Sequence, residues 1–293
     1  MKKTVAIVGT GAMGSAVGRC LVEQGLRVTT SLDERSALSR ELAASAGVED
    51  AGSLDALVGD ADMLLSIMPP AAAKSFAASV CPRIRRAGRD ALFVDCNAVS
   101  PDTLGDIATI AKDNDVRFHD VGIVGAAPRP DRNPVRFYAS GEYAEDLQAL
   151  AAPLIEVRSL GNSPGRASAF KMVYASLTKG TNALRAAALI AGEALGVGDE
   201  IREEWRQSVP DAWRVMEERM DYFPSVAGRW TGEMQEIAAT YASVGLTPSF
   251  HEGAAAIYAL LAQTDVEPGA GLEAALDAFI QQLASQAPNS GDR

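Results

Sequence analysis

The stretch that most constrains this chain begins at Thr4: "TVAIVGTGAMGSAVGRCL", an apolar β-branched run, then Gly9, Gly11 and Gly14 in G-x-G-x-x-G spacing, then an Ala-rich helical pattern. Glycines alone are common in turns, but a strand leading in and a helix leading out define a strand-turn-helix unit suited to a dinucleotide. Gly9 permits the tight turn, Gly11 lets the backbone approach a pyrophosphate, and Gly14 lets the helix pack closely on the sheet. The phosphates then sit at the helix N-terminus. Gly9, Thr10, Gly11, Ala12, Met13 and Gly14 are therefore the candidate cofactor loop.

The end of the second strand, "RVTTSLDERSAL", selects the dinucleotide. An NAD site places Asp or Glu there, about 20 residues beyond the loop, on the ribose hydroxyls. Counting from Gly14 reaches Ser31 or Leu32, and Asp33 is one step late. Arg35 and Ser36 follow as a guanidinium and hydroxyl pair for a 2'-phosphate. The expected cofactor is NADP. NAD is the alternative, with Arg35 a solvated loop charge and Asp33 a helix cap.

The first half alternates apolar runs with helix-like stretches: "TVAIVG", "RVTTSL", "DMLLSIMP", "ALFVDC" and "RFHDVGIVG" read as buried strands. Such alternation indicates βαβ units and a mostly parallel, doubly wound sheet with ligand loops at the strand ends. From about Ala167 only helical patterns follow. The expected fold is an α/β Rossmann domain over residues 1–163 and an all-α substrate and dimerisation domain over 164–293, divided near "GNSPGR". A helix over about 167–196 would run roughly 45 Å, and its Ala- and Leu-rich faces suggest a homodimer. The final "APNSGDR" reads as disordered.

At 293 residues and 47% hydrophobic content the chain can bury real cores. A net charge of -11 without a long basic run excludes nucleic acid and anionic membranes as natural partners and favours a small molecule, whose anionic groups local residues must hold. The N-terminal apolar stretch is too short and glycine-rich for a secretory signal, and no long uncharged apolar run occurs, so a cytoplasmic location is expected. Cys20, Cys81 and Cys96 form no close-spaced pair, and two histidines, His119 and His251, suggest neither a metal site nor a His-based triad.

Lys171 lies in "ASAFKMVYASL", otherwise apolar or small, and shares a helical stripe with Tyr174, Thr178 and Asn182. Such a stripe needs partners or a cavity, which makes Tyr174 and Thr178 candidate substrate contacts. A lysine desolvated beside a cationic nicotinamide has its pKa lowered toward a range useful for proton transfer. The same pattern also fits a surface lysine whose stem crosses apolar neighbours, and Lys179 is a second candidate. Asn97, at a strand end, either contacts substrate and cofactor or forms an Asx turn before Ser100-Pro101. Trp205, Trp213 and Trp230 read as core or as an apolar substrate wall, and Arg229 as an anion contact or an ion-pair partner.

Together these motifs resemble the β-hydroxyacid dehydrogenase superfamily, which includes 3-hydroxyisobutyrate and 6-phosphogluconate dehydrogenases and the imine reductases. The C-terminal half resembles the branch carrying a domain of unknown function related to the phosphogluconate dehydrogenase C-terminal domain. "SIMPP" matches the family's cofactor-lining segment and implicates Met68 and Pro69. "DCNAVSP" matches D-x-S-T-x-S-P, with Asn97 for the serine. "DVGIVGA" matches the substrate loop D-A-P-V-S-G-G, implicating Val124, Gly125 and Ala126, with Val124 and Ala126 replacing a carboxylate-binding serine and a glycine. "GRASAFKMVYA" matches G-x-G-x-x-x-K-x-x-x-N, keeping Gly165 and Lys171 and replacing the second glycine and the asparagine with Ala167 and Ala175. The resemblance implies that Lys171 is the catalytic acid/base of an NADP-dependent oxidoreductase acting on a β-hydroxyacid-like alcohol and carbonyl pair. An imine reductase on the same scaffold is one rival, which Val124 favours and Lys171 disfavours. A non-catalytic NADP-binding sensor is the other.

Overall fold

The computed structural model describes residues 3–143 and 145–286, so the expectation for "APNSGDR" lies outside the described residues. By contacts the chain forms two compact units, residues 1–173 and 174–293.

The first unit is an eight-stranded sheet in the order β3-β2-β1-β4-β5-β6-β7-β8. Its strands are β1 (Thr4–Val8), β2 (Arg27–Thr30), β3 (Glu49–Asp50), β4 (Met63–Ser66), β5 (Leu92–Asp95), β6 (Phe118–Val124), β7 (Val135–Ser140) and β8 (Ile155–Ser159). The first six run parallel in the doubly wound order. β7 then pairs antiparallel with β6, and β8 pairs parallel with β7. The order reverses between β1 and β4, so a crevice opens at their carboxyl ends.

Both faces of the central strands are covered, which is why they read as continuous apolar runs. Val5 and Ile7 pack with Val17 and Leu21 of α1 (Ala12–Glu23) on one face. Ala6, Val8, Leu64 and Phe93 pack on the other with α4 (Pro70–Ala87) and α5 (Pro101–Asp113), through Val80, Ile84, Leu104 and Ile107. Between them lie α2 (Ala37–Ser45) and α3 (Leu54–Asp60), capped by Ser36 and Ser53, while Ser100 caps α5. These hydroxyls accept from first-turn N–H groups and fix where each helix starts.

The long helix α6 (Arg166–Ala194) begins within a residue of its expected start. Its first turns, through Val173, belong to the sheet unit, which therefore extends past the expected 163/164 division. The physical reason is the set of hydrogen bonds that tie the start of α6 to β6 and β7, described below.

The rest of α6 forms the second unit with α7 (Gly198–Ser208), α8 (Pro210–Arg219), α9 (Pro224–Ser243), α10 (Ser249–Leu261) and α11 (Leu272–Gln286). Its core holds Trp213, Met216, Met220, Phe223, Trp230 and Tyr258. Trp230 packs edge-on against Tyr258 with ring centroids 5.2 Å apart, so this tryptophan is core.

Candidate functional site

Each glycine of the loop after β1 answers a different steric demand. Gly9 has φ +102°, and a Cβ there would stand 2.0 Å from the Ile67 carbonyl oxygen. A Cβ on Gly14 would stand 2.1 Å from the Gly9 carbonyl oxygen. Gly11 differs: nothing lies within 4 Å of its Cβ position. The first two glycines let backbone approach backbone, whereas Gly11 faces open space. α1 has no side-chain cap and no acidic residue in its first turn, so the N–H groups at Ala12 and Met13 and the positive helix end face that space. This cradle fits a pyrophosphate. Thr10 is buried and donates to the Ser39 carbonyl at 3.3 Å, while Met13 packs on the core.

At the end of β2, Ser31 is buried. The Leu32 N–H donates to Asp50 Oδ1 at 3.1 Å, and Glu34 takes a left-handed φ of 56°. Arg35 is exposed. Ser36, expected beside it as a phosphate ligand, instead caps α2: its Oγ accepts from the Ser39 N–H at 3.2 Å and donates to Ser39 Oγ at 3.1 Å. The cap is Ser36 rather than Asp33, which is exposed.

At the ends of β4 and β5, Asn97 is part of an internal network. Its Oδ1 accepts from the Met68 N–H at 2.7 Å, and its Nδ2 donates to Ser66 Oγ at 2.8 Å and Asp95 Oδ2 at 2.7 Å. Both amide hydrogens are thereby used within the protein, and Oδ1 keeps one acceptor position beside the Met68 N–H. Asn97 holds Met68, and with it the turn into Pro69 and Pro70, against β5. Burial pushes the Asp95 carboxyl up to about 7, although Asn97 pulls it down.

The first half of β6 meets the start of α6 through a carboxylate that the motifs gave no role. Buried Asp120 accepts from Ser140 Oγ at 2.9 Å, Gly165 N–H at 3.1 Å, Ser168 N–H at 3.0 Å and Ser168 Oγ at 2.8 Å. Ser140 Oγ in turn accepts from the Ala167 N–H at 2.9 Å. Burial raises the Asp120 pKa against the pull of these donors. Gly122 lets α6 lie on the strand: a Cβ there would be 2.7 Å from the Ala167 carbonyl oxygen and 3.0 Å from Lys171 Cβ.

This docking places Lys171, whose Nζ donates to the Ile123 carbonyl. The next three residues are Val124, buried, and Gly125 and Ala126, both exposed. Gly125 turns the chain away at φ 120°. The structure thus brings Lys171 to the loop expected to hold substrate. Tyr174 and Thr178 belong to the second unit. Tyr174 is partly exposed, and Thr178 Oγ1 donates back to the Tyr174 carbonyl at 3.1 Å. Lys179 is engaged inside that unit: Nζ pairs with Glu233, 5.5 Å from the Trp230 ring centroid, and burial lowers its pKa. Arg229 also pairs with Glu233, at 3.6 Å, which makes it an ion-pair partner.

Residues 4–157 match the NAD binding domain of 6-phosphogluconate dehydrogenase, and residues 193–261 match a domain of unknown function, DUF1932. No curated protein matches the chain. Among solved structures, a conserved hypothetical protein from Sinorhizobium meliloti is 26% identical, with TM-score 0.66 over 96% of this chain and 97% of that one. Mycobacterium tuberculosis 3-hydroxyisobutyrate dehydrogenase with L-serine is 19% identical, with TM-score 0.70 over 97% and 99%. A Myxococcus stipitatus imine reductase in complex with NADP+ is 18% identical, with TM-score 0.59 over 94% and 99%; these last two likenesses are of fold. With more than half its length matched by the NAD binding domain of 6-phosphogluconate dehydrogenase and DUF1932 following, the chain belongs to the β-hydroxyacid dehydrogenase-like superfamily of NAD(P)-dependent oxidoreductases.

Proposed function

We propose that the chain is an NADP-dependent dehydrogenase or reductase that interconverts a β-hydroxyacid-like alcohol and its carbonyl, with Lys171 as acid/base. The observation that carries this reading is the docking of Lys171 onto β6, with Nζ at the Ile123 carbonyl beside Val124–Ala126. The nicotinamide, when bound, accepts or supplies the hydride. In oxidation a neutral Lys171 Nζ takes the hydroxyl proton, and in reduction its ammonium returns it. The Ile123 carbonyl holds the amine at the loop, and Asp120 holds the helix that carries it. Gly9, Gly11, Gly14 and the first turn of α1 would hold the pyrophosphate. Arg35 supports NADP over NAD, since it stands in the turn between β2 and α2 with no side-chain hydrogen bond or ion pair among the described residues.

A second reading, imine reduction, is favoured by Val124, which offers the substrate loop no hydroxyl. The proposal includes a homodimer, supported by the exposed Leu177, Leu184 and Phe250 on the helical unit. It also includes a cytoplasmic location, with which the free, buried Cys20, Cys81 and Cys96 accord. No helix among the described residues is long and apolar enough to cross a membrane.

The test is turnover followed at the reduced-nicotinamide absorbance with NADPH and with NADH. The panel contains hydroxyacids, keto acids, aldehydes and cyclic imines, assayed on wild type and Lys171→Ala. The expected result is NADPH-linked turnover of a hydroxy or oxo compound that falls roughly 10²- to 10⁴-fold in the variant, with cofactor affinity kept. Turnover confined to imines, or indifferent to Lys171, overturns the assignment.

A further inference from the structure

The loop that follows β6 carries a concentration of positive charge in a chain whose net charge is -11. Between Gly125 and Arg136 stand Arg129, Arg132 and Arg136 against a single acid, Asp131. Of these, Arg132 and Arg136 line an open cavity of about 650 Å³, together with Gly125, Ala126, Asp131 and Asn133, among others. The nearby acids make their hydrogen bonds to other arginines. Asp131 receives Arg129 Nε and Nη2 at 3.1 and 3.0 Å. Glu156, opposite Arg136 on β8, receives Arg158 Nε and Nη2 at 2.8 and 2.9 Å.

Arg136 is different. It is half-buried, its Nε is buried with no partner, and its side chain makes no hydrogen bond or ion pair among the described residues. Its charge is felt by Glu156, opposite it on β8, but that carboxylate is bonded to Arg158, so the Arg136 fork itself is left for another anion to complete. Its position says which anion. Arg136 is paired with Val124 across the β6–β7 ladder, so the two side chains share a face of the sheet. Gly122, two residues back along β6, has its Cβ direction toward Lys171 on that same face. Arg136 therefore stands one strand repeat, about 7 Å, beyond the step where Lys171 docks. The glycine loop is elsewhere: β7 is four strands from β1 in the sheet, about 19 Å away at ordinary strand spacing.

We propose that Arg136, with Arg132 at the mouth of the cavity, is a specificity site for an oxyanion, carboxylate or phosphate, carried by the substrate whose hydroxyl or carbonyl lies at Lys171. The planar fork of Arg136 suits two oxygens of one group. Its assignment to substrate rests on the oxidoreductase reading above, whereas the anion site itself does not.

The test uses wild type, Arg136→Gln and Arg136→Lys. Malonate and methyl phosphate are titrated into the protein and followed by NMR saturation transfer, and turnover is measured on a hydroxyacid and on its neutral amide. Arg136→Gln is expected to weaken one of the two anions by roughly tenfold or more, with Arg136→Lys between. Whichever anion responds identifies the source. In turnover, Arg136→Gln raises KM for the acid and leaves KM for the amide and the affinity for NADPH unchanged. Equal anion binding by wild type and Arg136→Gln overturns the site. Anion binding lost in Arg136→Gln, with no turnover of any compound, leaves the site standing and overturns the oxidoreductase reading.

Discussion

The sheet presents two helix N-termini to its functional edge and treats them in opposite ways. α1 begins with no side-chain cap and no acid in its first turn, over a glycine whose surroundings are empty. α6 begins on a buried carboxylate: Asp120 takes the Gly165 and Ser168 N–H groups, and Ser140 takes that of Ala167. Both helices start with the same orphan donors. Where the protein supplies its own anion the helix becomes an anchor, and where it supplies none the helix end is ready for a ligand's. The same unit thus separates holding Lys171, the acid/base of the proposed function, from offering an open helix end to a charged cofactor.

The comparison breaks most visibly at Asp120. Replacement by alanine leaves two backbone N–H groups and two hydroxyls without their acceptor in a buried place, a loss of about 3–5 kcal/mol. Denaturant melts of Asp120→Ala should show it, and Asp120→Asn, which keeps one acceptor oxygen, should recover part. A loss below about 1 kcal/mol would mean that α6 is held by apolar packing on Gly122 and that the carboxylate is incidental.

The contrast also explains what the sequence could reveal. The α1 cradle was legible because its logic is local: strand, three glycines and helix lie within a few residues, and each glycine has a steric reason. The α6 anchor was not, because Asp120 finds Ser140, Gly165 and Ser168 across 20 to 48 residues of chain. Lys171 stood out by its apolar setting, yet only the fold shows that Gly122 admits it to β6. Asn97 shows the same limit. Its place at a strand end was legible, but its bonds to Met68, Ser66 and Asp95 reach up to 31 residues along the chain and were not. Of the stripe that Lys171 heads, two members have partners on their own helix. Thr178 bonds its own helix, and Asn182 Oδ1 accepts from Arg185 at 3.0 Å.

A second, smaller effect sharpens the anchor side. On β6 the residue before Asp120 is His119, fully buried with neither ring nitrogen partnered. Burial lowers its pKa to about 4, with Asp146 pulling weakly the other way. In the unfolded chain the imidazole binds a proton near its ordinary value of 6.5, while the folded one stays neutral. The unfolded state therefore holds more protons between those values, and stability falls as pH drops through the window. The loss from this group is about 2 kcal/mol at pH 5. Asp95, raised to about 7, acts with the opposite sign, since the folded state keeps a proton the unfolded one releases. Denaturant melts at pH 7 and pH 5 should therefore compare wild type with His119→Leu. The variant should lose less stability than wild type on acidification, by about that amount. Equal losses would show that His119 finds a proton partner in the fold.

The smallest stability effect tests the open end. Gly11 has φ -73° and ψ -165°, a backbone that alanine also adopts, and a methyl group there would touch nothing within 4 Å. Gly11→Ala should thus change the melting transition by less than about 1 kcal/mol, in contrast to the crowded Gly9 and Gly14. A methyl in that space nevertheless stands where a pyrophosphate must approach the α1 N–H groups. NADPH affinity, read by nucleotide fluorescence, should fall at least about tenfold, since contacts between N–H groups and a charged phosphate contribute about 1.5–3 kcal/mol each. A variant with native stability and weakened binding locates the phosphate over Gly11. Native stability with undiminished binding would place the phosphate away from this helix end, and the emptiness around Gly11 would then have no ligand to account for it.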